Sequence, residues 1–346
     1  MVGQFSCVPA KRIYRWYRQV LSGYVDKMEG EIGEYDFIHK GQLIKVPICK
    51  PEHIGSDMTI DEKNISNTTY TVLANNNSGK IAMLIESMQS IHIVKALEHL
   101  GDKRFIVKRI SRDLSKVYDW VCRQSFMNAE QIADKFHVLK NGFESLQSMR
   151  IYLRQAELHR IKELQDIHTT TELRKKKQLK KQFNKQYQPA KFTDPQHIIL
   201  DNGESVLQLL ARSRYLLFKF EKDWSKEQKQ RAQLLFELHP SIQIAYQLIC
   251  KFRVWYSKSN IGLPTKQRLA KLNQWYSDVK ESGIVSMQIF RALVKRHEGL
   301  IINYFKQGRT NAMAEAINNK IQRFISTSHG ARDLDFFLFR LAIYFS

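Results

Sequence analysis

Paired cysteines are missing from this chain. Of its 346 residues four are cysteine, Cys7, Cys49, Cys122 and Cys250, and no two of them share a C-x-x-C spacing. That excludes a simple zinc ribbon and any disulfide framework, and it fits a reducing cytoplasm. Nor is there an apolar run of about 18 residues or a charged-then-apolar leader, so neither a membrane span nor secretion is expected. No P-loop, no G-x-G-x-x-G turn and no convincing nucleophilic triad is found. No internal repeat is evident. Acid is scarce as well: 34 Asp plus Glu stand against 55 Lys plus Arg, a net charge of +21. A protein with that excess repels itself unless it meets a polyanion, so nucleic acid is the favoured partner. A solubility surface or ribosome association is the bland alternative, and charge does not separate DNA from RNA.

What is present is a sizeable core: 43% hydrophobic and 11% aromatic residues argue against general disorder. Residues 1–55 begin basic and aromatic (KRIYRWYRQVL) and then turn acidic, and they read as a short helix and a connector. Ile13, Trp16, Tyr17 and Leu21 form a stripe on that helix that suits either a partner helix or the protein's own sheet. From residue 56, DMTIDEKN, TTYTVLAN and KIAMLIE read as three strands, the last two joined by a turn over Asn75–Gly79. SIHIVKALEHL follows as a helix, with Ser90 as its expected N-cap and Gly101 just past its end. RFIVKRISRD then reads as a strand, SKVYDWVCRQSF as a helix, and AEQIADKF as a fifth strand. Three antiparallel strands followed by alternating helix and strand predict an α/β, RNase H-like mixed sheet flanked by helices.

That sheet is expected to be interrupted by a long all-α insertion. The core would begin at 56–140, the insertion fill 141–305, and residues 306–346 return the chain to the core. Within the insertion a long helix runs into TELRKKKQLKKQFNKQY, the densest basic stretch, which Pro189 and Pro195 end. Arg174, Lys175, Lys176, Lys177, Lys180, Lys181 and Lys185 are its candidate phosphate contacts, with a solvated helix end as the alternative. The last long helix is expected to start after Thr310 and to stop near Gly330.

Three carboxylates stand out. Asp61 sits inside a β-prone segment, where burial is costly unless a metal or a base pairs with it. Asp113 ends the fourth strand and has two readings, catalytic residue or cap of the next helix; Asp134 shares that ambiguity. On AMAEAINNKIQRFIST the apolar stripe is Met313, Ala316, Ile317, Ile321 and Phe324, and Glu315 shares another face with Asn318, Asn319 and Gln322. Asp61, Asp113 and Glu315 together offer hard oxygen ligands for Mg²⁺ or Mn²⁺. Two such ions roughly 4 Å apart serve an in-line phosphoryl displacement.

The run GRTNAMAEAINNKIQRFISTSHGARDLDFFLFRLAIYF resembles the C-terminal signature of DDE transposases of the ISL3 insertion-sequence class, in which a glutamate sits in an AE-x-x-N-x-K-I helix. MTIDEKN resembles that family's first-aspartate strand, SRDLSKVY its second-aspartate site, and NAEQIADKFHVLK the segment that follows. The resemblance runs from about Tyr35 to the C-terminus. It implies that Asp61, Asp113 and Glu315 form a triad holding two Mg²⁺ (or Mn²⁺) ions for DNA strand cleavage and transfer, with Asp134 and His137 near the site. It also implies DNA partners, both transposon ends and target, a homo-oligomer on DNA, and a cytoplasmic, nucleoid-associated place of work. The family's N-terminal cysteine-rich zinc motif and helix-turn-helix modules have no counterpart ahead of Asp61. The resemblance is therefore nearest to the catalytic second-frame protein of the ISAon-one type, which implies a separately encoded N-region DNA-binding protein. Two other functions remain open at this point: a catalytically inactive RNase H-like DNA-binding regulator, and an RNase H-like hydrolase of RNA or junctions.

Overall fold

A computed structural model of the chain describes residues 8–28, 33–183, 186–306, 312–327 and 333–345. They fall into two compact units: Met1–Val138 with His297–Ser346, and Leu139–Arg296.

The first unit is built on a six-stranded mixed sheet. Helix α1 (Ala10–Trp16) runs into a π turn over Tyr17–Leu21, and α2 (Tyr24–Met28) follows. Strands β1 (Phe37–His39) and β2 (Gln42–Ile44) pair as a separate hairpin. The sheet itself contains β3 (Ile48–Cys49), β4 (Asp57–Ile65), β5 (Thr68–Asn75), β6 (Ile81–Ile85), β7 (Arg109–Arg112) and β8 (Glu130–Ala133), in the order β3-β6-β5-β4-β7-β8. Its first four strands are antiparallel, whereas β4, β7 and β8 run parallel. This is the α/β, RNase H-like architecture that the order of elements predicts.

Local chemistry explains the meander. Ser66 and Asn67 both take positive φ (49° and 67°) between β4 and β5, the two-residue turn whose twist matches that of its strands. The Asn75 carboxamide oxygen accepts from the Asn77 and Ser78 N–H groups. The N–H of Gly79, at φ 70°, closes the turn on the Asn75 carbonyl. Strand alternation then sorts the side chains. Met58, Ile60, Leu73 and Met83 face a cluster with α3 (Ser90–Glu98) and α4 (Lys116–Ser125), through Ile93, Leu97, Tyr118 and Val121. Ile65, Tyr70, Val72 and Leu84 face the opposite way, against residues from the C-terminal end of the chain.

Three local expectations are corrected. Residues 37–49 hold three short strands and not a bare connector. The α3 N-cap is Gln89, with no side-chain bond, and Ser90 is the first helical residue. The fourth strand covers only Arg109–Arg112, because Gly101–Ile106 winds into a 3₁₀ helix that starts at a positive-φ glycine (55°). The α1 stripe is sorted too. Of its members Tyr17 packs edge-on against Phe336 of this chain, as do Tyr14 and, from α2, Tyr24. Ile13 is half-buried, and Trp16 and Leu21, like the outer side of Tyr17, are exposed.

Helix α5 (Lys135–Phe183) is 49 residues long. The second unit continues with α6 (Val206–Arg212), α7 (Lys226–Leu238), α8 (Pro240–Trp255), α9 (Thr265–Ser282) and α10 (Val285–Arg296). Helix α6 stops at Arg212, and Leu216–Phe218 then turns as 3₁₀. Phe252, Trp255, Trp275 and Phe290 form the aromatic centre of this unit. Gly142 is glycine because a Cβ there would meet the Phe290 ring at 2.9 Å. Glu204, buried, accepts from Arg231, Arg212 and Asn202 and so ties the turn before α6 to α7.

The chain re-enters the first unit with α11 (Glu298–Asn303), where the Asn303 amide donates to the Gln131 carbonyl of β8. Helices α12 (Ala312–Thr327) and α13 (Leu334–Tyr344) then cover the second face of the sheet, through Ile317, Ile321, Phe337, Leu338 and Leu341. The expected N-cap Thr310 and terminal Gly330 lie outside the described residues. No helix among the described residues is long and apolar enough to cross a membrane.

Candidate active site

Asp61 lies in the middle of β4, opposite Val72 of β5. It shares its sheet face with Thr59, Lys63 and Ile65, the face that α12 covers. On the other side β4 pairs with β7 in parallel register, Thr59 opposite Ser111. The ladder ends at that pair: Asp61 lies two residues further along β4, and Asp113 directly follows Arg112, the last residue of β7.

The two readings of Asp113 now separate. Its carboxylate accepts from the Ser115 N–H (2.8 Å). The N-cap of α4 is Ser115 itself, whose hydroxyl accepts from the Tyr118 N–H. Asp113 is thus not the cap. Asp134 does cap: Oδ1 accepts from the Phe136 N–H (2.8 Å) at the start of α5, and its own N–H donates to the Arg112 carbonyl (2.7 Å).

His137, in the first turn of α5, turns back to these acids. Its Nε2 stands 3.7 Å from Asp61 Oδ1 and 3.8 Å from Asp134 Oδ2. Asp61 foremost raises the imidazole above its ordinary pKa, against the opposing effect of burial, and Asp134 and Asp113 add to the rise. Asp61 responds in kind. Burial alone would push its carboxyl up, but His137, the Glu62 N–H and the Asn318 amide outweigh it and hold the group below the usual value. Asp61 is therefore an anion kept charged by three neighbours.

Helix α12 meets the strand at this point. Asn318 Nδ2 donates to Asp61 Oδ2 (2.9 Å), and Lys63 Nζ donates to the Asn318 main-chain carbonyl (3.3 Å). Burial lowers the Lys63 ammonium pKa and the nearby Asp61 offsets part of that. Glu315 is on the backbone of α12, one turn before Asn318; its side chain lies outside the described residues. Among the described residues no three His, Cys, Asp or Glu side chains stand close enough to hold a metal by themselves. The donors that are described fit a hard divalent cation in kind: two aspartates, with a lone pair of each Asp61 oxygen already oriented by an N–H donor.

Reading the sequence missed Arg112. Its side chain has no solvent exposure. Nη1 donates to the Asp113 carbonyl (2.8 Å), Nε to Gln131 Oε1 (2.7 Å) and Nη2 to Asp119 Oδ1 (2.5 Å). Burial lowers its pKa, yet the guanidinium remains charged and braces the turn that presents Asp113. The one available signal was an arginine at a strand end directly before an acid.

In the basic stretch Arg174, Lys175, Lys176, Lys177, Lys180 and Lys181 are exposed on the last turns of α5. Lys175 is paired with Glu172 (2.9 Å), which also accepts from the Tyr187 hydroxyl and the Ala190 N–H. Lys185 lies outside the described residues.

Residues 58–341 match the profile of a transposase family, the DDE transposases of the ISL3 class. The transposase for insertion sequence element IS1001 of Bordetella parapertussis is 24% identical over 135 residues, 39% of this chain and 32% of that relative. The match thus spans about a third of the relative's length.

Proposed function

The chain belongs to the ISL3 class of DDE transposases, and on that premise we propose that it cuts DNA strands at the ends of an insertion sequence and joins them to a target. Asp61, Asp113 and Glu315 are the residues that would hold two Mg²⁺ or Mn²⁺ ions. Such ions, when bound, supply activation of the attacking oxygen and stabilisation of the leaving one in an in-line phosphoryl transfer.

The rest of the work falls to the protein. Asp61 presents its carboxylate from β4, and Asp113 follows the end of the parallel neighbour β7. Asp61 is kept ionised by the Glu62 N–H, the Asn318 amide and the adjacent His137. His137 stands between Asp61 and Asp134, whose carboxylates raise its pKa and so favour the cationic form that offsets their repulsion. Asp134 fixes the first turn of α5 and with it the place of His137. The DNA partners are the element's ends and its target, with copies of the chain assembling on them.

The observation that supports this reading best is the hydrogen bond from Asn318, on the Glu315-bearing helix, to Asp61 on β4, the strand that pairs in parallel with the one leading to Asp113. The test uses a labelled transposon end with Mg²⁺. Asp61→Asn, Asp113→Asn and Glu315→Gln should each abolish cleavage and joining and leave DNA binding intact, since each removes a ligand oxygen and some negative charge. Cutting at the wild-type rate by any one of the three would remove that residue from the mechanism.

A further inference from the structure

Asn318 belongs to none of the three acids, yet it is where strand and helix meet. Two residues of β4 on one face grip it, Asp61 through its amide and Lys63 through its main-chain carbonyl. The remaining hold on α12 near this point is apolar, Ile317 and Ile321 against Ile65, Tyr70 and Val72. Apolar contacts fix which side of a helix faces the sheet, but they are not directional. A hydrogen bond is directional and weakens steeply when misaligned. The register of α12 along β4 is therefore set mainly by Asn318.

That register matters because Glu315 precedes Asn318 by three residues. It shares the same face, displaced by about 4.5 Å along the helix axis. The choice of an amide is also informative. A lysine or arginine there would neutralise Asp61 by direct ion pairing, and an aspartate would repel it. A carboxamide orients one oxygen of Asp61 without changing the charge of the site, and its second N–H and its carbonyl remain for other bonds.

Resting on the proposed function, we infer that Asn318 is the positioning residue of the acidic site. It orients the Asp61 carboxylate and sets the height at which the Glu315 helix meets β4, so that the ligands are aligned before DNA binds. Partners that orient a metal ligand in this way typically change metal affinity by about 10–100-fold when removed.

The experiment measures Mn²⁺ binding to the full chain, from the electron paramagnetic resonance signal of free Mn²⁺, beside cleavage rate as a function of Mn²⁺ concentration. Asp61→Asn should lose the tight binding. Asn318→Ala should weaken it by about 10–100-fold, with cleavage recovering as Mn²⁺ is raised by a similar factor. Lys63→Ala, which frees the helix carbonyl but spares the amide–carboxylate bond, should weaken binding far less. Should Asn318→Ala fail to fold, Asn318→Leu keeps the volume and removes the donor, and the same shift is expected.

Wild-type Mn²⁺ affinity in a folded Asn318 variant, with Asp61→Asn still defective, overturns this inference and leaves the proposed function standing. Equal losses in Asn318→Ala and Lys63→Ala also overturn it, by reducing Asn318 to one of several docking contacts. If Asp61→Asn binds Mn²⁺ like the wild type, the proposed function fails and the role of Asn318 fails with it.

Discussion

Neutralising one face of the basic end of α5 should change how DNA affinity responds to salt, by an amount the helix geometry sets. At 3.6 residues per turn, Arg174, Lys177 and Lys181 fall within one narrow arc of α5. Glu172 lies on the far side of the helix, where it holds Tyr187 and Ala190, so the three cations are on the face turned away from that packing. Each phosphate contact contributes about 0.9 to the slope of log affinity against log salt for duplex DNA. Three contacts therefore contribute about 2.7. Between about 50 and 200 mM salt, wild type should lose about 40-fold more affinity than a chain carrying Arg174→Gln, Lys177→Gln and Lys181→Gln. Fluorescence anisotropy with two duplexes of unrelated sequence is the assay. The slope should flatten equally on both, because phosphate contacts carry no base information. An unchanged slope would show these side chains to be solvated and nothing more, and flattening on one duplex alone would mean that they read sequence.

Three further outcomes test the packing. Arg231 first of all holds the Glu204 carboxyl down to about 2, with Arg212 and Asn202 adding to it against burial. The folded value lies below the ordinary one of about 4.3, so this stabilisation is present above roughly pH 5 and fades as pH falls towards 2. Glu204→Gln should cost the helical unit about 2–3 kcal/mol at pH 7, below the range for fully buried pairs because Arg212 reaches water. Urea melts followed by tryptophan fluorescence should show that gap closing at low pH, and a constant gap would rule out an ionic origin. Gly142→Ala gains about 1 kcal/mol of helix propensity but forces a Cβ to 2.9 Å from the Phe290 ring. Overpacking costs about 1–3 kcal/mol, so the melting temperature should fall; a rise would mean that the ring swings away freely. Ile321→Ala, at a fully buried position on α12, should cost about 3 kcal/mol in chemical denaturation, and a loss under 1 kcal/mol would show that α12 is loosely held.

The meander was legible because its signals are local. Alternating apolar residues over 68–75 and 81–85, with Asn75 and Gly79 between, need no distant partner to declare strands and a turn. Strands β1 to β3 were not legible, since two or three residues are too few to establish a period, and β3 exists only through pairing with β6. The overlong fourth strand has a similar cause: Arg104–Ile106 has strand-like composition but is wound into a 3₁₀ turn. In the candidate site, residue types were readable and partnerships were not. Asp113 lost its capping reading only when Ser115 was seen to cap α4. Asn318 showed from the sequence as one of an amide face around Glu315, whereas its bond to Asp61 spans 257 positions of chain. His137 was readable as a motif residue, and only the entry of α5 beside β8 discloses that it faces two aspartates.

Helices α12 and α13 have a consequence for how the protein is made. They cover one face of the antiparallel strands β3 to β6, yet the ribosome delivers them after the entire helical unit. At 5–20 residues per second the interval between completing β6 and beginning α12 is on the order of 10–45 s. Throughout it Ile65, Tyr70, Val72, Ile81 and Leu84 have no covering helix, so the nascent chain carries an apolar sheet face open to aggregation or to a chaperone. The helical unit can be finished while the sheet is still half-clad. Asp61 and Asp113 come early and the helix bearing Glu315 follows the helical unit, so a nascent chain that ends within that unit lacks the third acid. On the proposed function, a translation product cut short before α12 should be unable to cut DNA, because it lacks Glu315.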